Sequence, residues 1–170
     1  AMIKDHKLNA YIPTKTPEQL ISLAPGLKEE FDIEIKLIDN IDSTNIQISH
    51  WQKLAQAIYD NYDAFDGFVI SHGTDTMSYT ESALSYALQD LGKPVVLTGA
   101  QLPPDNISSD ARNNLVNAFR IASMDIGEVV ISFGTEILRG NRSSKQSETD
   151  FNAFWSPIYP GLGKIRTNID

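Results

Sequence analysis

The chain has 170 residues, enough for one domain that buries a substantial core without covalent staples. It contains no cysteine, which excludes disulfides, thiolate metal sites and cysteine nucleophiles. Fourteen basic against twenty-two acidic residues leave a net charge of -8, which disfavours a broad nucleic-acid or anionic-membrane surface and favours a small-molecule substrate or a protein partner.

No run approaches the ~20 apolar residues of a membrane span, and the segment from Ala1 to Lys7 lacks the apolar stretch of a secretory signal, so the cytosol is the default compartment. Residues Leu8 to Lys15 read as extended. Thr16-Pro17-Glu18 then offers an N-cap with proline at the first helical position, opening a short helix to about Ala24 that Pro25-Gly26 closes. Ile33 to Ile38 alternates apolar and charged residues, the pattern of a strand near a sheet edge, and Asp39 to Asn45 follows as a polar loop. Ser49-x-x-Gln52 has the form of a capping box ahead of an amphipathic helix through Trp51, Leu54, Ala55, Ile58 and Tyr59. Phe68 to Ser71 is predicted as a strand, Met77 to about Leu91 as a helix, and Val95 to Thr98 as the next strand. Ser108-Ser109-Asp110 caps a helix running through Leu115, Ala118, Phe119 and Ala122, and Glu128 to Phe133 is another buried strand. Beyond Gly134 the pattern changes. Leu138 to Arg142 reads as a strand and turn leaving the main sheet, Thr149 to Tyr159 as irregular, and Gly161 to Lys164 as the start of a linker.

Near-continuously apolar strands alternating with helices predict an α/β domain. Its open, mainly parallel twisted sheet is covered by helices on both faces, the doubly wound arrangement. Residues 1–160 are expected to form that domain and residues 161–170 to lead away from it. Such a sheet usually opens with a strand ahead of the first helix, and none is convincing before Ile33, so a fragment of a longer protein is expected.

Three polar turns follow three predicted strands: Asp42-Ser43-Thr44, His72-Gly73-Thr74-Asp75-Thr76 and Gly99-Ala100-Gln101. Turns after successive parallel strands lie on one sheet edge, so these can converge on one ligand. Thr74 is a candidate nucleophile or water-activating hydroxyl that needs a base; otherwise it or Thr76 caps the following helix. Lys145 is the candidate base, with Arg139 and Arg142 close enough in sequence to lower its pKa. Asp75 could hold an ammonium group or merely sit favourably in the first turn of a helix, and Ser43 could donate to a carboxylate or be an ordinary turn serine. His72, at the buried end of a strand, reads as a satisfied core histidine, and Asp110 as a helix cap. His6, His50 and His72 share no zinc-ligand spacing, no glycine-rich phosphate loop is present, and no cofactor is expected.

The stretches Asp66 to Met77, Gly92 to Gln101, Ser109-Asp110 and Arg139 to Lys145 together resemble the type I, cytosolic-type L-asparaginases of the asparaginase/glutaminase family. The resemblance runs from about Tyr11 to about Pro160, and His72 to Met77 is its most specific signature. It implies a Thr74-Asp75-Lys145 triad in which lysine and threonine exchange a proton and Asp75 holds the substrate's α-ammonium. It implies that Ser43, with Asp42 beside it, binds the α-carboxylate, that the Ala100 carbonyl receives the side-chain amide nitrogen, and that Tyr11 is the mobile-loop tyrosine beside the nucleophile. The implied substrate is L-asparagine, with L-glutamine the alternative, and the implied assembly is a homodimer or homotetramer.

The family opens with a strand ending in Thr-Gly-Gly-Thr-Ile, whose second threonine is the primary nucleophile, and this sequence starts after that position. The family's C-terminal domain is also beyond it, so these 170 residues alone are expected to be inactive. Two rivals stand beside an L-asparagine amidohydrolase. One is the asparaginase-like subunit of a tRNA-dependent amidotransferase, for which a charged stretch is expected where this chain has Leu102-Pro103-Pro104. The other is an inactive binding domain.

Overall fold

A computed structural model describes the backbone of residues 2–5, 10–13 and 17, and all other residues from 16 to 170 in full. Strands β1 (Met2–Asp5) and β2 (Ala10–Pro13) form an antiparallel hairpin in which Lys4 faces Tyr11. The rest of the extended segment expected from Leu8 to Lys15 lies outside the described residues. Helix α1 (Pro17–Ile21) starts as predicted: Thr16 accepts from the Gln19 N–H, and the Gln19 side chain returns the bond to the Thr16 N–H at 2.9 Å. A one-turn helix α2 (Leu27–Glu30) follows.

Ile33 to Ile38 is not a strand. Ile33 and Ile35 do turn inward, against Leu27 and Leu115, while Glu34 and Lys36 face out, so the alternation reports a half-buried extended segment. It has no ladder partner among the described residues, and without a neighbouring strand extended backbone does not become sheet.

Helix α3 (Ile48–Asp60) begins one residue before Ser49, and its start is held by the His50 ring, whose Nδ1 accepts from the Gln47 N–H at 2.8 Å. Then come β3 (Phe68–Ser71), α4 (Met77–Ala87), β4 (Val95–Thr98), α5 (Ala111–Ala122) and β5 (Val129–Phe133). Helix α4 stops short of the predicted Leu91, and Asp90 beyond it adopts a left-handed φ of 56°. Strand β6 (Glu136–Arg139) does not leave the main sheet as expected but folds back antiparallel on β5. Short strands β7 (Ser144–Lys145) and β8 (Phe154–Trp155) pair with each other, and β9 (Gly163–Lys164) pairs antiparallel with β6, with Ile165 buried beside it.

The main sheet therefore has the order β3-β4-β5-β6-β9, with β3, β4 and β5 parallel. Side chains of α3 and α4 cover one face and those of α5 the other. All residues of β4 and β5 are buried, each large aliphatic or aromatic side chain contributing about 1.5–3 kcal/mol of transfer free energy. This is the doubly wound α/β arrangement, and it brings the carboxyl ends of β3 and β4 side by side.

Candidate active site

The β3–β4 pairing continues past the strands, since the His72 N–H donates to the Thr98 carbonyl at 2.9 Å. The turns His72 to Thr76 and Gly99 to Gln101 are thereby adjacent. The third turn joins them: the Thr76 hydroxyl donates to the Ser43 carbonyl at 2.8 Å, and Ser43 is buried. Gly73 is required at this contact, because a Cβ there would lie 2.5 Å from Ser43 Oγ. Thr76 stands at the N-cap position of α4 but makes no side-chain capping bond, since its hydroxyl goes to Ser43, and the Thr74 hydroxyl receives Lys145 instead.

Lys145 reaches the first turn from the other side. Its Nζ donates to Thr74 Oγ1 at 3.1 Å and to Asp75 Oδ1 at 2.8 Å, and also to Glu148 Oε2. The Lys145 side chain is only 11% exposed. The strand pair β7–β8 holds its backbone opposite Phe154. Arg139 and Arg142 do not depress its pKa as the sequence suggested. Arg139 forks onto Glu128 at 2.7 and 3.0 Å, and Arg142 lies over the Tyr159 ring. Burial does work against the ammonium, but Asp75 and Glu148, through hydrogen bonds and charge, outweigh it and raise the lysine's pKa. Lys145 is thus an ammonium that donates to Thr74.

His72 is satisfied, as expected. Its Nδ1 meets the Gly73 carbonyl at 2.7 Å, so that nitrogen carries the proton. Its Nε2 then accepts from the Thr80 hydroxyl at 2.9 Å, which in turn accepts from the Trp51 indole N–H at 2.9 Å. Burial lowers the His72 pKa, so the neutral ring fixes the turn rather than moving protons.

Asp110 does more than cap α5. Its carboxylate accepts from the Gln101 N–H at 3.0 Å, the Leu102 N–H at 3.1 Å and the Asn114 amide at 2.9 Å; Asn114 also holds the Gly99 carbonyl at 3.0 Å. Together they clamp the turn that carries Ala100, and Ser109 takes over the capping of α5. Asp42 accepts from the Thr44 N–H and hydroxyl at 2.9 and 2.8 Å, closing its own turn beside Ser43. Tyr11 sits on β2, and its side chain lies outside the described residues.

A cavity of about 630 Å³ runs from this polar cluster between β3 and residues 33–41. Its lining joins the apolar Val69, Ile70, Leu115 and Phe119 to Ser43, Thr74, Asp75 and Ala100. Strand β3 is paired on one side only among the described residues, and its other edge faces this cavity. Among the same residues no His, Asp and Glu cluster could hold a metal ion, and no helix is long and apolar enough to cross a membrane.

The profile of the asparaginase family's N-terminal region matches residues 1–170. The chain belongs to the asparaginase family. L-asparaginase 1 of Escherichia coli strain K12 is 47% identical over 123 residues, covering 72% of this chain and 36% of that protein. A glutamyl-tRNA(Gln) amidotransferase subunit of Methanosphaera stadtmanae is 40% identical over 176 residues, covering 99% of this chain and 40% of that protein. The solved thermostable L-asparaginase from Thermococcus kodakarensis superimposes with a TM-score of 0.88 at 35% identity, over 99% of this chain and 52% of that one. The asparaginase-family chain thus spans between a third and about half of the length of these three relatives.

Three site residues of this asparaginase domain escaped the sequence reading: Asn114 and Glu148, and Asp110 in its clamping role. Their residue types are those of ordinary helix and loop positions. Only Asp110 had a readable signal, because a second candidate cap, Ser109, stands next to it.

Proposed function

We propose that this chain is a fragment of the N-terminal, nucleophile-bearing domain of an L-asparagine amidohydrolase. The observation that carries the proposal is Lys145 Nζ seated between Thr74 Oγ1 and Asp75 Oδ1. In the reaction a threonine hydroxyl attacks the amide carbon, ammonia leaves, and water cleaves the resulting ester to give aspartate. Thr74 and Lys145 move the proton, and Asp75 pairs with the substrate's α-ammonium. Substrate binding itself prepares the base. An α-ammonium at Asp75 removes a counter-charge from Lys145 and adds a like charge beside it, and both effects lower the lysine's pKa. Ser43 meets the α-carboxylate, the Ala100 carbonyl receives the amide nitrogen, and Tyr11 closes over the nucleophile.

In this reading the primary nucleophile is a second threonine, on a strand that occupies the cavity beside β3. A parallel strand there would pair with the free edge of β3 and give residues 33–38 a ladder partner. Its carboxyl end would open between Ser43 and Thr74. The full protein would then work in the cytoplasm as a homodimer or homotetramer completed by a C-terminal domain after residues 161–170. L-Glutamine is the alternative substrate, since one methylene is worth only about 1–3 kcal/mol of discrimination. The kinship to an amidotransferase subunit supports a second reading, an amidase that works within a larger assembly.

Ammonia release from L-asparagine tests the proposal. The full-length protein is expected to turn over, and the 170-residue chain alone to give nothing above the blank until the preceding strand is restored. A full-length protein without turnover on asparagine or glutamine would overturn the amidohydrolase reading. Turnover by the isolated chain would overturn the need for the second threonine.

A further inference from the structure

Helix α4 carries a carboxyl group that the reaction above does not use. Glu81 is fully buried, its Oε1 accepts a hydrogen bond from Ser143 Oγ, and its Oε2 has no partner. Burial raises its pKa well above the ordinary carboxylate range, against the smaller lowering effect of Ser143. Such a group is costly in an apolar interior, and Leu or Ala at this position would avoid the cost.

Its partner explains where it acts. Ser143 lies two residues before Lys145, in the segment that leaves β6 and crosses α4. That crossing is close: a Cβ on Gly140 would lie 2.6 Å from Ser85 Oγ and 3.2 Å from the Glu81 carbonyl, and Ser85 Oγ donates to that same carbonyl at 2.8 Å. Just before Ser143 the chain is held by Ser156 Oγ, which donates to the Arg142 carbonyl at 2.8 Å, and just after it by the β7–β8 pairing. Gly140 sets the depth of the segment, and the ladder sets its direction. Within it, Ser143 carries a side-chain hydrogen bond that ties this segment to α4. The turn of Thr74 and Asp75 leads directly into that same helix.

We propose that Glu81 is a positioning residue: through Ser143 it fixes the segment that carries Lys145 on α4, so that Nζ stays within reach of Thr74 and Asp75. One helix then sets both halves of the triad. The consequence for catalysis rests on the amidohydrolase reading, but the position of Lys145 can be measured without it.

The test is competitive trace acetylation of lysine amines in the full-length protein at mildly alkaline pH, read for each lysine by mass spectrometry, with Lys53 and Lys164 as internal references. Glu81→Ala and Ser143→Ala are expected to raise Lys145 labelling about tenfold by freeing it from its carboxylates, with the references unchanged. Glu81→Gln, which keeps an acceptor oxygen, should stay within about twofold of native. Where native turnover is measurable, the two alanine variants should lower kcat about tenfold with KM little changed. If Glu81→Ala folds poorly, Ser143→Ala carries the test, because it removes one hydroxyl from a half-buried site. Native Lys145 labelling in both alanine variants would overturn the proposal, whatever their melting temperatures. Raised labelling in a protein whose native form has no turnover would support the positioning role and overturn only the amidohydrolase reading.

Discussion

Lys145 keeps its proton because two carboxylates share it, and those carboxylates differ in what substrate does to them. Asp75 is claimed by the α-ammonium in the proposed reaction, whereas Glu148 stays, with its side chain 77% exposed. Glu148 therefore opposes the deprotonation that the base must undergo. Replacing it by glutamine is expected to move the acid limb of the kcat/KM profile to lower pH, since Lys145 loses a partner that raises its pKa. The shift should shrink in high salt, because an exposed charge is screened. A profile that does not move at low ionic strength would contradict this. The sign for stability is separate. A lysine whose folded pKa is raised above 10.5 stabilises the fold fully below that value and loses the contribution as pH rises through the folded pKa, so this pairing matters to stability only in alkali.

At the scale of elements, local signals were readable where the interaction itself is local. The Thr16 cap with Pro17 at the first helical position is set within one turn, and it formed as predicted, with Gln19 closing a capping box that was not foreseen. The buried strands β4 and β5 announced themselves by unbroken apolar runs. Ile33 to Ile38 misled because alternation reports which side is buried, while a strand also needs a neighbour. Asp110 misled because a cap and a clamp use the same residue type, and only the fold brings Gln101, Leu102 and Asn114 around its carboxylate. Asp110→Ala leaves those donors without their charged acceptor and is expected to cost about 2–3 kcal/mol in urea unfolding. A loss under about 0.5 kcal/mol would show that the turn holds without the clamp.

At the scale of the molecule, the parallel pairing of β3 and β4 brings together two turns that the sequence separates, and that was legible from strand order; the third turn, at Ser43, joins them through the Thr76 hydroxyl although the strand expected ahead of it does not form. The approach of Lys145 to Thr74 across 71 residues was not legible, because β7 and β8 lie outside the main sheet and have no apolar pattern of their own. The residues offered Lys145 only as a candidate base, and the family resemblance set it in one triad with Thr74 and Asp75. The charge state of Lys145 was misread for the same reason: Arg139 and Arg142 are neighbours in sequence, but the fold gives them to Glu128 and Tyr159.

The central claim, that Lys145 serves Thr74 in amide hydrolysis, is tested most directly by steady-state ammonia release from L-asparagine by full-length Lys145→Met. A base lost from the site should lower kcat by about 10²–10⁴-fold while KM stays within about threefold of native. A variant that keeps kcat within tenfold of the native protein would contradict the claim.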